Sequence, residues 1–521
     1  MTGAGAGGQR PWRPEIVTVS NLIRCVCAVI LRGLTNCTDN KEHFRGMSVR
    51  TETGEFRRTG AAEFLKISLF DYEQLIRFWH LADNEARPPV TSDDHDKCYL
   101  VRPIIDIVQK AFHRWCDPGR DGAMDEGGFP SRHNWLRKRN SAKPNRYFIE
   151  VLKLCMSRTR FCRDFIINEG KTKNIRRANR RPGQHGYKKC RYKQHEFNDA
   201  DNEFAKTHGI TAGQMQYFAR RLREGSNDED YVYHIHVDKR WCSLVGMVSC
   251  MDLHKVAFSA SVKRGSRYHV AYDLGLTQAT NRANRGKYRS CTTTINRVKI
   301  NAVLWQDSKL VAFASTYSGT SSIPVERRSG RFKFDIACPK LIVERGDHFR
   351  AVDSNDQMCL SDVRFDMISR TKAWPVVFWG VIELLIVNIF LICRVHPNML
   401  NIQQAPFRWQ LLTELLDFAD MMEQNEPVQR DVAEVNVGRF HPQSAQLHHH
   451  VEMLEYVTQS ELEELNELHN DQIPKRKRPR ARDRRGNRKR MGLDVSVVRL
   501  RIHNPHPSHV LIMRMHTHTD S

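Results

Sequence analysis

The chain has 521 residues, too many for one simple core, so two to four domains are expected. Its hydrophobic fraction of 40% excludes wholesale disorder. The formal net charge of +23 calls for a polyanionic partner, nucleic acid or an anionic membrane face, and charge alone does not choose between them.

The N-terminus, Met1 to Pro14, is glycine-rich and has no signal-peptide layout. The short apolar run Cys25 to Leu31 lies between Arg24 and Arg32 and reads as a helix of a small N-terminal segment. From Glu63 to Trp115 the pattern is helical. Val101, Ile104, Ile105, Val108, Ala111, Phe112 and Trp115 share one helical face, and Asp117-Pro118-Gly119 ends it. Phe148 to Met156 and Phe165 to Ile167 read as strands. Lys171 to Lys193 then carries ten Lys/Arg around Pro182-Gly183 and reads as a basic loop. Tyr231 to Val237 (YVYHIHV) is a strand ending on Asp238. Ser243 to Leu253 reads as a helix and Val256 to Val262 as a strand. Arg264 to Arg289 is basic and polar. Val298 to Leu304 and Leu310 to Ala314 form a hairpin around Gln306 to Lys309. A short loop bearing Asp353 and Asp356 follows Cys338-Pro339.

Pro375 to Cys393 is nineteen nearly unbroken apolar residues, just enough to span a bilayer. Glu383 and Asn388 lie inside it, and a carboxylate at mid-bilayer is costly. The alternative is a helix buried between packed domains, and the flanking sequence favours that. Trp409 to Met422 is amphipathic. The tail is acidic from Glu452 to Asp471, and eleven of the sixteen residues from Lys475 to Arg490 are Lys/Arg. Such blocks are usually solvated. The 14 cysteines are scattered without a CxxC pair, which fits a reducing compartment.

Strand, strand, basic loop, strand ending in Asp, helix, strand is an α/β order, and such folds place metals on acidic residues at strand ends. Phosphodiester chemistry uses two Mg²⁺ ions roughly 3.5–4 Å apart, held by carboxylates. Asp125 (GAMDEGGF), Asp238 (HVDKRW) and Asp353 (AVDSND) are the candidates. Taken singly, each is a lone Asp, and such residues are more often turns or caps than ligands. Glu126 could orient its neighbours or simply face solvent. Asp307 sits where a hairpin tip favours Asp for turn geometry.

Several segments together resemble the piggyBac transposase family. Asp96, Lys97, Arg102, Pro103 and Asp106 precede Asp125-Glu126 as in its approach to the first catalytic aspartate. Pro130, Ser131, Arg132, Asn134, Lys143 and Pro144 echo a stretch ending in K-P. VDKRWCS, WQDSKLVAFAST, Cys338-Pro339, VDSNDQM, Lys372, Trp374 and Asn388 follow in the family's order, so the likeness covers residues 63 to 393.

The resemblance implies an RNase H-like α/β catalytic core with an insertion domain, plus a split helical DNA-binding and dimerisation domain and disordered tails. The expected boundaries are 1–59 for a partly disordered N-terminal region and 60–118 for the first helical part. The core is 119–290, with the basic loop 171–193. The insertion is 291–345, the last catalytic segment 346–361, the second helical part 362–424, and the charged tail 425–521, with its basic run 475–490.

The implied ligands are Asp125, Asp238 and Asp353, with Asp356 close by, for two Mg²⁺ or Mn²⁺ ions. Zinc is not expected, because no cysteine follows Cys393 and the tail histidines match no structural spacing. The implied reaction is metal-dependent cut-and-paste transposition. Strand cleavage at the element's end leads through a hairpin to attack on target DNA, at TTAA in that family. The expected DNA contacts are Arg137, Lys138, Arg139, Lys143, Arg176, Arg177, Arg180, Arg181, Lys188, Lys189, Lys263 and Arg264. Lys475, Arg476, Lys477 and Arg478 would direct nuclear import, or hold DNA non-specifically, or both. The protein is expected to be nuclear and homodimeric, on transposon-end and target DNA, with no membrane partner.

Two departures stand out. Lys239 follows Asp238 where the family often has Asn or Arg. Arg350-Ala351 replaces the usual Gly-Gly before Asp353, where a side chain could disturb the backbone. The rival reading is a domesticated, catalytically inactive DNA-binding derivative.

Overall fold

The computed structural model describes residues 13–425, apart from 36, 38–39, 46, 51–55, 90–91, 93–94, 132–135, 142, 144, 170–194, 225–227, 264–273, 277–284, 330, 361–373 and 396–398, together with 449–451 and 515–517. The chain divides into two units, Met1–Glu426 and Pro427–Ser521. In the second, His449–Val451 pairs antiparallel with Met515–Thr517.

The first unit opens with helices α1 (Val19–Thr35) and α2 (Asn40–Arg45), then an antiparallel pair, β1 (Met47–Arg50) and β2 (Phe56–Thr59). Helices α3 (Ala61–Leu65), α4 (Leu69–Phe78) and α5 (Arg102–Trp115) follow. Ser68 caps α4 by accepting the Asp71 amide at 3.0 Å, and Pro103 stands in the first turn of α5, where no amide partner is needed. Around α5 a buried knot forms. Arg102 pairs with Asp96 at 2.8 Å, Glu169 at 3.1 Å and Glu196 at 2.7 Å.

The main sheet holds nine strands. They are β3 (Asp121–Pro130), β4 (Arg137–Arg139), β5 (Tyr147–Met156), β6 (Cys162–Ile167), β7 (Tyr233–Val237), β8 (Val256–Ser261), β9 (Tyr288–Ile295), β10 (Val298–Gln306) and β11 (Leu310–Ser315). β4 and β6 share one edge of β5. β5 is antiparallel to β3, whereas β3, β7 and β8 run parallel. The segment read as an insertion first extends the main sheet and then forms a separate hairpin. β11 pairs with β8 and prolongs the main one through β10 and β9. A hairpin, β12 (Ser322–Ser329) and β13 (Phe332–Pro339), stands beside it.

Two helices between β6 and β7 cover one sheet face: α6 (Asp199–His208) and α7 (Ile210–Arg223). α8 (Leu244–His254) joins them. Met124, Leu152, Leu154, Ile235, Val237 and Phe258 pack there against Tyr217, Phe218 and Met247. Trp241 is fully buried, and its indole donates to Gln214 Oε1 at 3.0 Å.

The other face meets α9 (Lys340–His348), α10 (Ala351–Cys359) and α11 (Trp374–Cys393), and α12 (Gln404–Asn425) closes the unit. The loop expected around Asp353 and Asp356 is therefore helical. Its sequence has weak helix propensity, so tertiary contacts hold it.

The apolar helix α11 is long enough to cross a membrane, yet 78% of its apolar window is buried in this protein. Gly380 lies against Phe129, where a Cβ would come within 2.4 Å of the ring. Asn388 accepts the Cys162 amide and donates to the Cys162 carbonyl, both at 2.9 Å, and so satisfies β6 beyond its partner strand. Glu383 is paired bidentately with Arg408 of α12, and both are almost fully buried.

Candidate active site

Parallel pairing aligns β3 with β7 at Asp121↔His234, Ala123↔His236 and Met124↔Val237. One step on, Asp125 stands beside Asp238, which immediately follows β7. Residues two apart on a strand share a face, so Asp121, Asp125, His234, His236 and Asp238 lie on the same side of the sheet. The third carboxylate, Asp353, enters from the first turn of α10 and is exposed.

The three converge electrostatically. Burial pushes the Asp125 carboxyl up to about 7, and the charges of Asp353, Glu126 and Asp238 add to the shift against one opposing backbone amide. That amide is Glu126 N–H, which donates to Asp125 Oδ1 at 2.8 Å. Asp238 accepts from Ser261 Oγ at 3.1 Å and lies 3.9 Å from the Arg345 guanidinium.

Asp356 is held differently. Its carboxylate is 2.7 Å from Nζ of Lys153, whose side chain is 1% exposed. The same ammonium donates to Asn355 Oδ1 at 2.9 Å. Asp125 is the register partner of Lys153 across β3 and β5, so this lysine fixes α10 over the site. Gly127 permits the close approach, since a Cβ there would lie 2.6 Å from Asp356 Oδ1.

The departure at Arg350-Ala351 is accommodated. Arg350 takes φ −78° at the helix N-cap and Ala351 begins the helix, so neither position needs glycine. Glu126 is not a bare surface group, for it pairs with Arg240, which also reaches Glu150 at 3.3 Å. Asp307 forms the β10–β11 turn and binds Arg285 and Arg327.

Among the expected DNA contacts, Arg137, Arg139 and Lys263 are exposed. Lys138 is paired with Glu150, and Lys143 donates to the Glu126 carbonyl at 2.7 Å. Arg176, Arg177, Arg180, Arg181, Lys188, Lys189, Arg264 and Lys475 to Arg478 lie outside the described residues, as do Arg132, Asn134, Pro144 and Lys372.

Residues 65–390, more than half of the chain, match the family model described as Transposase IS4. The chain belongs to this transposase family. Its fold is similar to that of a piggyBac transposase in a synaptic complex with hairpin DNA, seen by cryo-electron microscopy. The TM-score is 0.55 at 16% identity, covering 80% of this chain and 77% of that one. A search of curated proteins found no match.

The donor set of this transposase suits a hard divalent cation. Asp125, Asp238 and Asp353 offer only carboxylate oxygens, and Asp125 bears a repulsion that a cation would relieve. Arg345, Lys153 and Ser261 were not singled out from the sequence. Arg345 sits on α9, donates to the Val237 carbonyl at 3.2 Å and stacks on Phe349 at 3.9 Å. Its role depends on contacts between residues more than a hundred positions apart, which no local pattern encodes. The His234-His236-Asp238 alternation was visible in YHIHVD, and it already placed all three side chains on one face.

Proposed function

We propose that this transposase cleaves and joins DNA, with divalent cations held by Asp125, Asp238 and Asp353. The observation that carries the reading is the convergence of three carboxylates, from distant segments, on one face of the sheet. The order β6-β5-β3-β7-β8, antiparallel in its first three strands and parallel in its last three, supports an RNase H-like core. Two Mg²⁺ or Mn²⁺ ions, when bound, would supply the charge that stabilises the attacking and leaving oxygens.

The chain's own residues supply position. β3 and β7 fix Asp125 and Asp238 side by side, and Ser261 and Arg345 orient Asp238. Lys153 neutralises Asp356 and anchors α10, which aims Asp353. Asp356 is thus the anchor in this reading, and would join the metal set only by leaving Lys153.

Arg137, Arg139 and Lys263 would grip the phosphate backbone, together with the basic runs 171–193 and 264–289. Such contacts position a duplex without reading its sequence. Lys138 and Lys143 order the sheet edge that presents their neighbours. Transposon ends and target DNA, a homodimer, and nuclear import through Lys475 to Arg478 belong to the same proposal. In it α11 is a core helix, because its only carboxylate is neutralised by Arg408.

The test is incubation of the full chain with a duplex carrying its element's own flanking DNA, with and without Mg²⁺ or Mn²⁺. The expected products are an ion-dependent nick at the element end and then a hairpin. Salt-sensitive binding without cutting would move the protein to the domesticated, non-cleaving reading.

A further inference from the structure

We propose that Asp121, His234 and His236 form a second metal site, for a transition-metal ion of the zinc class, separate from the carboxylate trio. His234 Nδ1 lies 3.3 Å and His236 Nε2 3.6 Å from Asp121 Oδ1. All three ligand atoms are within 4.8 Å of one another. Bonds of 2.0–2.1 Å to a tetrahedral ion put neighbouring ligands about 3.3–3.4 Å apart, which these spacings already approach.

A second observation points to a ligand. His236 is fully buried; its Nδ1 makes no hydrogen bond, and its Nε2 stands 3.6 Å from Asp121 Oδ1, just beyond one. A buried imidazole left so is costly, and a metal would satisfy it. The surroundings have the character of an outer shell. His234 Nε2 contacts Ser259 Oγ at 2.7 Å, and Ser259 contacts Ser315 at 2.7 Å, which turns Nδ1 toward Asp121. Arg120 takes the other oxygen of Asp121, at 3.0 Å, and leaves Oδ1 to face the histidines.

The fourth position faces α9. The His348 ring stacks on His236 with centroids 5.1 Å apart, and Glu344 Oε2 is buried without a hydrogen-bond partner. Tyr317 packs on His234 at 4.8 Å and closes the remaining side.

Two imidazoles and one carboxylate select a borderline ion such as zinc, whereas the all-oxygen trio selects magnesium or manganese. Asp125 lies four positions beyond Asp121, about 13 Å along the strand, and Asp238 two beyond His236, about 7 Å, so the two ligand sets occupy successive levels of the sheet. The other close cluster, Asp96, Cys98 and Glu169, differs in kind, because Arg102 already pairs with both carboxylates. An ion at Asp121 would staple β3 to β7 beneath the two strand-borne carboxylates. The site stands whether or not the trio cuts DNA.

The full-length chain is stripped with a chelator and titrated with zinc, beside His236→Gln, Asp121→Asn and Ser259→Ala, each checked for folding by circular dichroism. The tail histidines bind equally in all four, so the difference reports this site. Wild type is expected to hold one more tight zinc equivalent than His236→Gln or Asp121→Asn. Ser259→Ala should bind roughly tenfold more weakly. Zinc should raise the melting temperature of wild type but not of the first two variants, and millimolar Mg²⁺ should not substitute. Where His236→Gln fails to fold, the other two variants carry the comparison. Equal zinc stoichiometry and equal melting shifts in wild type and every folded variant would overturn the proposal.

Discussion

Asp125, half-buried, and Asp164, fully buried, are carboxylates with opposite fates. Partial burial first, and the like charges of Asp353, Glu126 and Asp238 after it, push the Asp125 carboxyl up to about 7. In the metal-free protein it is protonated when folded, but ionised when unfolded, between about pH 4 and 7. Stability therefore falls as pH rises through that interval and stays low above it. Asp125→Asn should stabilise the metal-free chain at pH 7 by on the order of 1–3 kcal/mol and leave it unchanged near pH 4, read from melts at both pH values. Unchanged stability at pH 7 would mean that neither burial nor the neighbouring carboxylates disfavour the Asp125 charge. Asp164 lies deeper, but His113 at 2.8 Å and Arg221 at 2.7 Å outweigh burial and hold it below the usual range. Its contribution is present above about pH 4 and is lost as pH falls further. Asp164→Ala, which leaves Arg221 with Glu224 and removes the acceptor of His113 and Tyr217, should cost on the order of 1–3 kcal/mol in chemical denaturation. Asp125, Asp238 and Asp353, the proposed metal ligands, stood out in the sequence because whole motifs surround them. Asp164 was not, since CRDFII reads locally as a strand with an ordinary acid in it.

At the scale of elements, α11 is the decisive case. Its sequence fits a membrane span as well as a core helix, and the choice rests on Glu383 meeting Arg408 from α12. Arg408→Met takes the guanidinium away from a buried carboxylate and should cost about 3–5 kcal/mol, while Glu383→Met with Arg408→Met should recover most of that. A double variant as unstable as the single one would contradict the pairing. Gly127→Ala would drive into Asp356 and displace α10, so cleavage should fall more steeply than stability. Elements with a clean period were readable: α5, β5, β7, β8 and the β10–β11 hairpin. Those without one were missed. α6 and α7 are interrupted by Gly209, and Gly213 packs against Ala205 where an apolar residue would have marked the face. β9 is mostly exposed and threonine-rich, and it exists through pairing with β10. α10 looked like a loop because its cohesion comes from Lys153, some two hundred residues earlier.

At the scale of the whole molecule, the charge of +23 is the property that folding least explains and DNA best explains. If six to ten phosphates are neutralised, affinity should drop roughly 10³–10⁵-fold between 50 and 200 mM salt, and a flat salt response would argue against backbone binding. The helical parts before and after the sheet meet in the fold, where Arg24 of α1 binds Asp420 at 2.7 Å and Glu423 at 2.6 Å on α12. One structure thus carries two of the carboxylates on the sheet and the third on α10, with basic residues at the sheet edge. The most direct test is strand cleavage of element-flanking DNA in Mg²⁺, by wild type and by Asp238→Asn at equal DNA occupancy. Cleavage by wild type that falls at least roughly a thousandfold in the variant is the predicted result. Equal cleavage by both would contradict the assignment of the aspartates as the cutting site.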